Sequence, residues 1–271
     1  MPKLYVVATP IGNLEDISQR ALRILKEVGL VAAEDTRRIK HLLSAYNIKN
    51  SVTSYHEHNK RIKLPHILAS LLEKDVALVS DAGMPGISDP GHDLIVAAIE
   101  HGIPVVPIPG PSVLLTALVI SGLPSHQFVF LGFFPRRKGE RKHLMESIAS
   151  ETRTIVAFES PHRLKATLED LVEFLGDRRI AVCRELTKIH EEVFRGTVSA
   201  ALEHFQEPRG EFTLIIEGGR RVEQGSLAKE MGERLLLLKK GGMPAREAVA
   251  EVAKASGMSK KDVYRAWLRL N

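Results

Sequence analysis

The chain has 271 residues, 38 Lys plus Arg against 33 Asp plus Glu, one cysteine and 44% hydrophobic residues. That length suggests two domains or slightly more at ~150 residues each, and the ordinary charged and apolar content excludes global disorder. No apolar run reaches the ~18 residues of a membrane-spanning helix, no leader-like pattern opens the sequence, and Cys183 has no internal partner, so a cytoplasmic protein is expected.

Residues 4–8 read as a β-strand, followed by a turn over 9–13. A helix then starts at the cap residue Ser18 and carries Ala21, Leu22, Leu25 and Val28 at helical spacing. Residues 76–79 have the pattern of a buried strand, 94–99 of a helix, 105–108 of a strand and 113–120 of a strongly apolar helix. This alternation predicts a mostly parallel sheet flanked by helices over residues 1–121. Beyond Gly122 come a strand at 128–131 and a basic loop containing Arg136, Arg137, Lys138, Arg141 and Lys142. Strands at 154–158, 180–184 and 212–217, with a helix at 163–175, make residues 122–220 a second α/β domain. Residues 221–271 show no strand pattern. A Leu-rich stretch ends at Gly241-Gly242, Pro244 opens a helix through Ala248 and Val252, and Ser259 caps a last helix after a turn at Ser256-Gly257. That is helix-turn-helix grammar.

The charge is unevenly placed. The first 220 residues carry 27 basic and 27 acidic side chains, whereas the last 51 carry 11 and 6. The whole excess of +5 lies in the helical tail, which suggests an anionic partner, although lysines that only keep a tail soluble give the same arithmetic.

In open α/β sheets, ligands sit beyond the C-terminal ends of the strands. The loop over residues 80–91 holds three glycines, two prolines and the acids Asp81 and Asp89, and Pro109-Gly110-Pro111-Ser112 has the same character. Both read as shaped loops with backbone free to bind a ligand, though tight turns use the same residues. Neither a glycine-rich dinucleotide fingerprint nor a P-loop is present. His56 and His58 are a weak metal signal, and no metal site is assigned; Cys183 reads as a core residue. Charged clusters at 33–38, after a short strand, and at 158–163 and 184–188, after the strands at 154–158 and 180–184, lie where a site is expected.

These segments, in order from residue 4 to 217, resemble the bacterial ribosomal RNA small-subunit methyltransferase I family. The likeness is carried by residues 4–16, Ala33-Glu34-Asp35-Thr36-Arg37, the 80–91 loop and residues 109–112. It continues through Gly132-Phe133-Phe134-Pro135, Glu159-Ser160-Pro161-His162-Arg163, Arg184-Glu185-Leu186-Thr187-Lys188 and residues 210–214. The C-terminal helices resemble that family's small helical domain. The resemblance implies the tetrapyrrole-methylase fold (class III), two α/β domains with S-adenosylmethionine between them, and a homodimer. It also implies 2′-O-methylation of a cytidine ribose in the decoding centre of 16S rRNA, with 16S rRNA, free or within the 30S subunit, as partner. Pro10, Asp81, Gly83, Ser88, Ser112 and Phe158 would then contact the cofactor. Thr9-Pro10-Ile11-Gly12-Asn13 and Ser80-Asp81-Ala82-Gly83 stand where the macrocycle methylases carry other glycine-rich motifs, which argues against a corrin or sirohaem precursor.

A ribose hydroxyl is a very weak acid, so a base or a cation beside the forming alkoxide should assist its attack. Glu159 or Asp35 is the expected proton acceptor, with Lys188 and Arg37 stabilising negative charge. Arg163 joins Arg136, Arg137, Lys138, Arg141, Lys142, Lys260 and Lys261 as the expected RNA-binding set. Two competing readings are a tetrapyrrole methylase on the same fold and a helix-turn-helix regulator with a body that senses S-adenosylmethionine.

Overall fold

The computed structural model describes residues 1–219, 224–256 and 260–269. It comprises two compact units, Met1–Gly219 and Arg220–Asn271.

In the larger unit, β1 (Leu4–Val7), β2 (Leu30–Ala33), β3 (Val52–Ser54), β4 (Val76–Val79) and β5 (Val105–Ile108) form one sheet. Its order is β3-β2-β4-β1-β5, and every pairing is parallel. The linking helices are α1 (Gln19–Glu27), α2 (Thr36–Ala45), α3 (Lys60–Glu73) and α4 (Gly91–Glu100), and α5 (Val113–Ile120) follows the last strand. One set of apolar residues, including Val7, Leu25, Leu42 and Val79, packs as one cluster, and a second, including Leu4, Ile67, Leu78 and Leu94, as another. Strands covered on both faces must be apolar throughout, which explains why β4 is the unbroken run Val-Ala-Leu-Val. Pro107 is tolerated because β5 is an edge strand. Ser18 caps α1, accepting a hydrogen bond from the Ala21 amide at 3.1 Å.

The second sheet contains β6 (Phe128–Phe133), β7 (Thr154–Glu159), β8 (Arg179–Arg184), β9 (Glu192–Thr197) and β10 (Phe212–Ile216). Its order is β6-β7-β10-β8-β9, with only the β6–β7 pair parallel. Helices α6 (Lys138–Ile148), α7 (Pro161–Leu175) and α8 (Val198–His204) accompany it. Leu164, Leu168 and Leu171 of α7 pack with Ile155, Ala157, Val182 and Leu214 of the sheet.

The segment read as a basic loop is helical from Lys138 onward, and this corrects one expected RNA contact. Arg141, Met145 and Ile148 share the buried face of α6. The Arg141 side chain is 9% exposed, and its Nε donates to Asp170 of α7 at 2.5 Å. Arg141 is therefore an internal brace, while Arg136, Arg137, Lys138 and Lys142 remain on the surface.

Helix α5 is apolar almost all round, yet only one side is covered: Ala117 and Leu118 are buried against the second sheet, while Leu115 and Val119 are exposed. Ala117 and Leu118, with Ile11 and Leu123, pack on Val156, Ala181, Cys183, Leu186 and Ile215. Arg195 of β9 donates from Nε to the Ile120 carbonyl at the end of α5 at 3.0 Å.

The smaller unit is α9 (Gln224–Lys240), α10 (Ala245–Ser256) and α11 (Lys260–Arg269). Leu235, Val249, Val252, Ala253 and Val263 form its own core. Lys239 stands 5.7 Å over the Trp267 ring, and Lys260 is exposed. The expected turn at Gly257, the Ser259 cap and the Lys261 side chain lie outside the described residues. Among the described residues, no helix is long and apolar enough to cross a membrane.

Candidate active site

The loops after β1, β2 and β4 open into a cleft of about 450 Å³ whose far wall comes from the second sheet. Thr9 and Gly83 exchange two backbone hydrogen bonds, 2.9 and 3.0 Å, which fasten the first of these loops to the third. Gly83 takes a φ of +78°, which a side-chain-bearing residue adopts only under strain. Gly12 lies against the far wall. A Cβ there would meet Lys188 Cγ and Thr187 Oγ1 at 2.5 Å, and the next amide, of Asn13, donates to Thr187 Oγ1 at 3.1 Å. Ser88, Glu185 and Thr187, bordering the same cleft, all have left-handed backbone at φ of +62°, +49° and +66°. Strain of this kind in non-glycine residues gathers at ligand sites.

Of the expected cofactor residues, Asp81, Ser88 and Phe158 line the cleft. Pro10 lines a smaller adjoining hollow that shares Arg38, Ser80 and Asp81 with it. Ser112 is not on the lining; it caps α5 beside the lining residue Val113. Phe158 meets Phe130 and Phe133 edge-to-face, with centroids 5.0 and 5.4 Å away, and Phe133 and Phe158 give the cleft an apolar wall.

The expected catalytic residues divide. Lys188 lines the cleft, its Nζ donating to Glu185 Oε1 at 3.0 Å and to Glu211 Oε2 at 2.9 Å. Burial works against its charge, but the two carboxylates outweigh it and raise its pKa. Glu159 is sealed, with its side chain 0% exposed. Its Oε1 accepts from the Ser160 amide and from Arg163 Nη2, both at 2.7 Å, and Oε2 accepts from Thr167 Oγ1 at 2.6 Å. Arg163 in turn donates to the Phe134 carbonyl at 2.7 Å and to Ser160 Oγ at 3.0 Å, so its guanidinium is used internally.

Asp35 and Arg37 are absent from the lining, and Glu34 and Arg38 stand there instead. Asp35 is the N-cap of α2, and its Oδ1 accepts from the Arg37 amide at 2.8 Å. The Arg37 guanidinium beside it holds its carboxyl well below the usual carboxylate range, which makes it a weak base. An acid directly before Thr-Arg-Arg-Ile is an N-cap pattern, and that signal could have assigned Asp35 to the helix from sequence. Glu34 behaves in the opposite way. Burial, then the charges of Asp81 and Asp89, push its pKa up. Among the described residues, no group of three or more His, Cys, Asp or Glu is arranged to hold a metal.

The family described as Tetrapyrrole (Corrin/Porphyrin) Methylases matches residues 3–202, and the RsmI C-terminal HTH domain matches residues 226–271. A protein of Halalkalibacterium halodurans named ribosomal RNA small subunit methyltransferase I is 46% identical over 274 residues, covering 97% of this chain and 94% of its own. The chain belongs to that family. Its membership makes it a methyltransferase. The family member from Synechocystis is 44% identical over 98% of both chains. The member from Thermotoga maritima is 51% identical and is matched over 99% of its length, yet that match spans only 80% of this chain. About a fifth of this chain therefore has no counterpart there. Solved structures share the fold at lower identity. A uroporphyrin-III-C-methyltransferase from Thermus thermophilus superposes with a TM-score of 0.57 at 21% identity, covering 80% of this chain and 94% of its own. A diphthine synthase gives 0.64 at 15% identity, covering 79% and 89%.

Proposed function

We propose that the chain transfers a methyl group from S-adenosylmethionine to the ribose 2′-hydroxyl of a cytidine in the decoding centre of 16S rRNA. The observation that carries this reading is the near-full-length identity to proteins named for the small-subunit rRNA. The cleft suits the cofactor. Its volume lies within the range of small-molecule sites, and Phe133 and Phe158 offer an apolar wall to an aromatic base. Asp81, Ser88 and Phe158 would hold it directly, with Pro10, Gly83 and Ser112 shaping the loops. Bound there, it supplies a methyl group made electrophilic by a sulfonium.

The protein's own part is to orient the ribose, exclude water and stabilise charge that develops on the 2′-oxygen. Lys188, held by Glu185 and Glu211, is the cation positioned for that charge. Glu159, fully engaged by Arg163, Ser160 and Thr167, stiffens the wall instead of accepting a proton. Exposed Arg136, Arg137, Lys138 and Lys142, together with Lys260 of the helical unit, are the proposed phosphate contacts. A homodimer belongs to the same reading, supported by exposed Leu115 and Val119 on α5. Tritiated-methyl transfer should be measured to 30S subunits, free 16S rRNA and a tetrapyrrole macrocycle. Label in a cytidine 2′-O-methyl of 16S rRNA is the expected result. Label in the macrocycle, with none in rRNA, would replace this reading with the tetrapyrrole one.

A further inference from the structure

Six carboxylates line the cleft: Glu34, Asp81, Asp89, Glu159, Glu185 and Glu211. Five of them already serve the protein. Asp81 accepts from the Asp35 amide at 2.9 Å and faces Arg38 at 3.5 Å. Asp89 folds its own loop, accepting from the amides of Gly86 and Gly91 at 2.8 Å. Glu159 is sealed by Arg163, Ser160 and Thr167, and Glu185 and Glu211 share the Lys188 ammonium. Glu34 has the backbone of Asp81 as a hydrogen-bond partner, and among these six it is the one engaged by neither a cation in an ion pair nor more than that single amide.

Its position has a simple origin. Residue 34 immediately follows β2, at the carboxyl end of a parallel strand, where the next residue must turn into the cap of α2. The cap uses Asp35, so Glu34 is the side chain delivered to the cleft. It is partly buried and faces two aspartates, with Arg38 the nearby cation acting on it least.

We propose that Glu34 is the group that accepts the 2′-hydroxyl proton of the substrate ribose. This rests on the methyl-transfer reading above. The O–H bond of the ribose breaks as the bond from its oxygen to the methyl carbon forms; the proton passes to a Glu34 carboxylate oxygen, and the methyl–sulfur bond breaks with its electron pair going to sulfur, so that a neutral thioether leaves. Burial and like charge, which raise the proton affinity of Glu34, make it a better acceptor than the saturated carboxylates around it. Lys188 on the far wall then stabilises the oxygen as its charge grows.

The test compares the full-length chain with Glu34→Gln and Glu34→Asp. Single-turnover methyl transfer to the rRNA substrate is measured across pH with cofactor saturating, and cofactor Kd is measured by calorimetry. Loss of a positioned base costs ~10²–10⁴-fold in rate. E34Q should fall by about 100-fold or more, with cofactor Kd within about threefold of the parent, and the acidic limb of the parent's pH–rate profile should vanish. E34D, which keeps the charge on a shorter stem, should retain that limb at an intermediate rate. Near-parental E34Q turnover with the limb intact would overturn the proposal. So would a weakened cofactor Kd with the rate fully restored at saturation, which assigns Glu34 to cofactor binding. Absence of rRNA transfer by the parent chain would overturn the underlying reading, and this assignment with it. A loss confined to E34Q leaves that underlying reading standing.

Discussion

Replacing Arg141 separates a residue that holds the fold from one that holds RNA. In Arg141→Met the aliphatic stem remains on the buried face of α6, but the guanidinium that meets Asp170 at 2.5 Å is gone. Removing one partner of a buried ion pair costs ~3–5 kcal/mol, because the other charge is left behind without compensation. The two side chains here are 9% and 14% exposed, so some water reaches the orphaned carboxylate and the lower end applies, about 3 kcal/mol. For a unit of this size each kcal/mol moves Tm by ~2–4 °C, which gives a drop of about 6–12 °C. Circular-dichroism melting measures it. The double change Arg141→Met with Asp170→Leu should recover most of the loss, since both charges are then removed. Filter binding to 16S rRNA at two salt concentrations, below the melt, should be unchanged in slope. Loss of salt-dependent affinity with an unchanged Tm would refute the reasoning and return Arg141 to the RNA surface.

Gly12→Ala should cost ~1–3 kcal/mol from overpacking and displace the 186–188 loop, so methyl transfer should fall more than stability does; a kinetic and melting comparison checks both. For Glu151, hydrogen bonds from the Arg153 guanidinium at 2.9 and 2.7 Å depress the carboxyl from 4.5 to about 2 in the folded chain. Its contribution is therefore present above the unfolded value and is lost as pH falls through the folded one. Urea melts of the parent and Glu151→Gln should differ near neutral pH and converge toward about pH 2. Deleting residues 220–271 should leave the Tm of the α/β unit and cofactor Kd unchanged, because the helical unit has its own core. The same deletion should weaken 30S affinity and flatten its salt dependence. Equal 30S affinity in the truncated chain would identify the basic tail as a solvated one.

The inner strands of the first sheet were legible because they are buried on both sides, whereas the edge strand β3, three partly buried residues, was not named. Runs such as Val76–Val79, each followed by a loop of Gly, Pro and Asp, mark strand and ligand loop together. The second sheet was less so. Strand β9 escaped notice because Glu191 and Glu192 introduce it and because, as an edge strand, it carries polar residues that blur the alternation. Helix α6 was hidden by its own charge: Arg141 occupies an apolar position by way of its stem, and counting Arg and Lys cannot reveal that Asp170 waits on another helix. The choice between Glu34 and Asp35 was half legible. The strand end names both; the N-cap pattern before Thr-Arg-Arg-Ile already points Asp35 at the backbone, whereas that Glu34 faces the cleft is visible only in the structure.

Helix α5 also determines how the cleft can move. A rigid-body opening of one sheet away from the other would pull Ala117 and Leu118 from Val156, Ala181 and Ile215, exposing apolar surface to water, and would break the Arg195 contact to Ile120. The two halves are therefore expected to stay locked through turnover, and fluctuations on the microsecond-to-millisecond scale should concentrate in the 80–91 and 185–191 loops. Relaxation dispersion should find exchange at those amides and none in α5. Entry and exit of both reactants then depend on how fast two loops rearrange, with the mouth of the cleft as the moving part and its floor as the fixed frame.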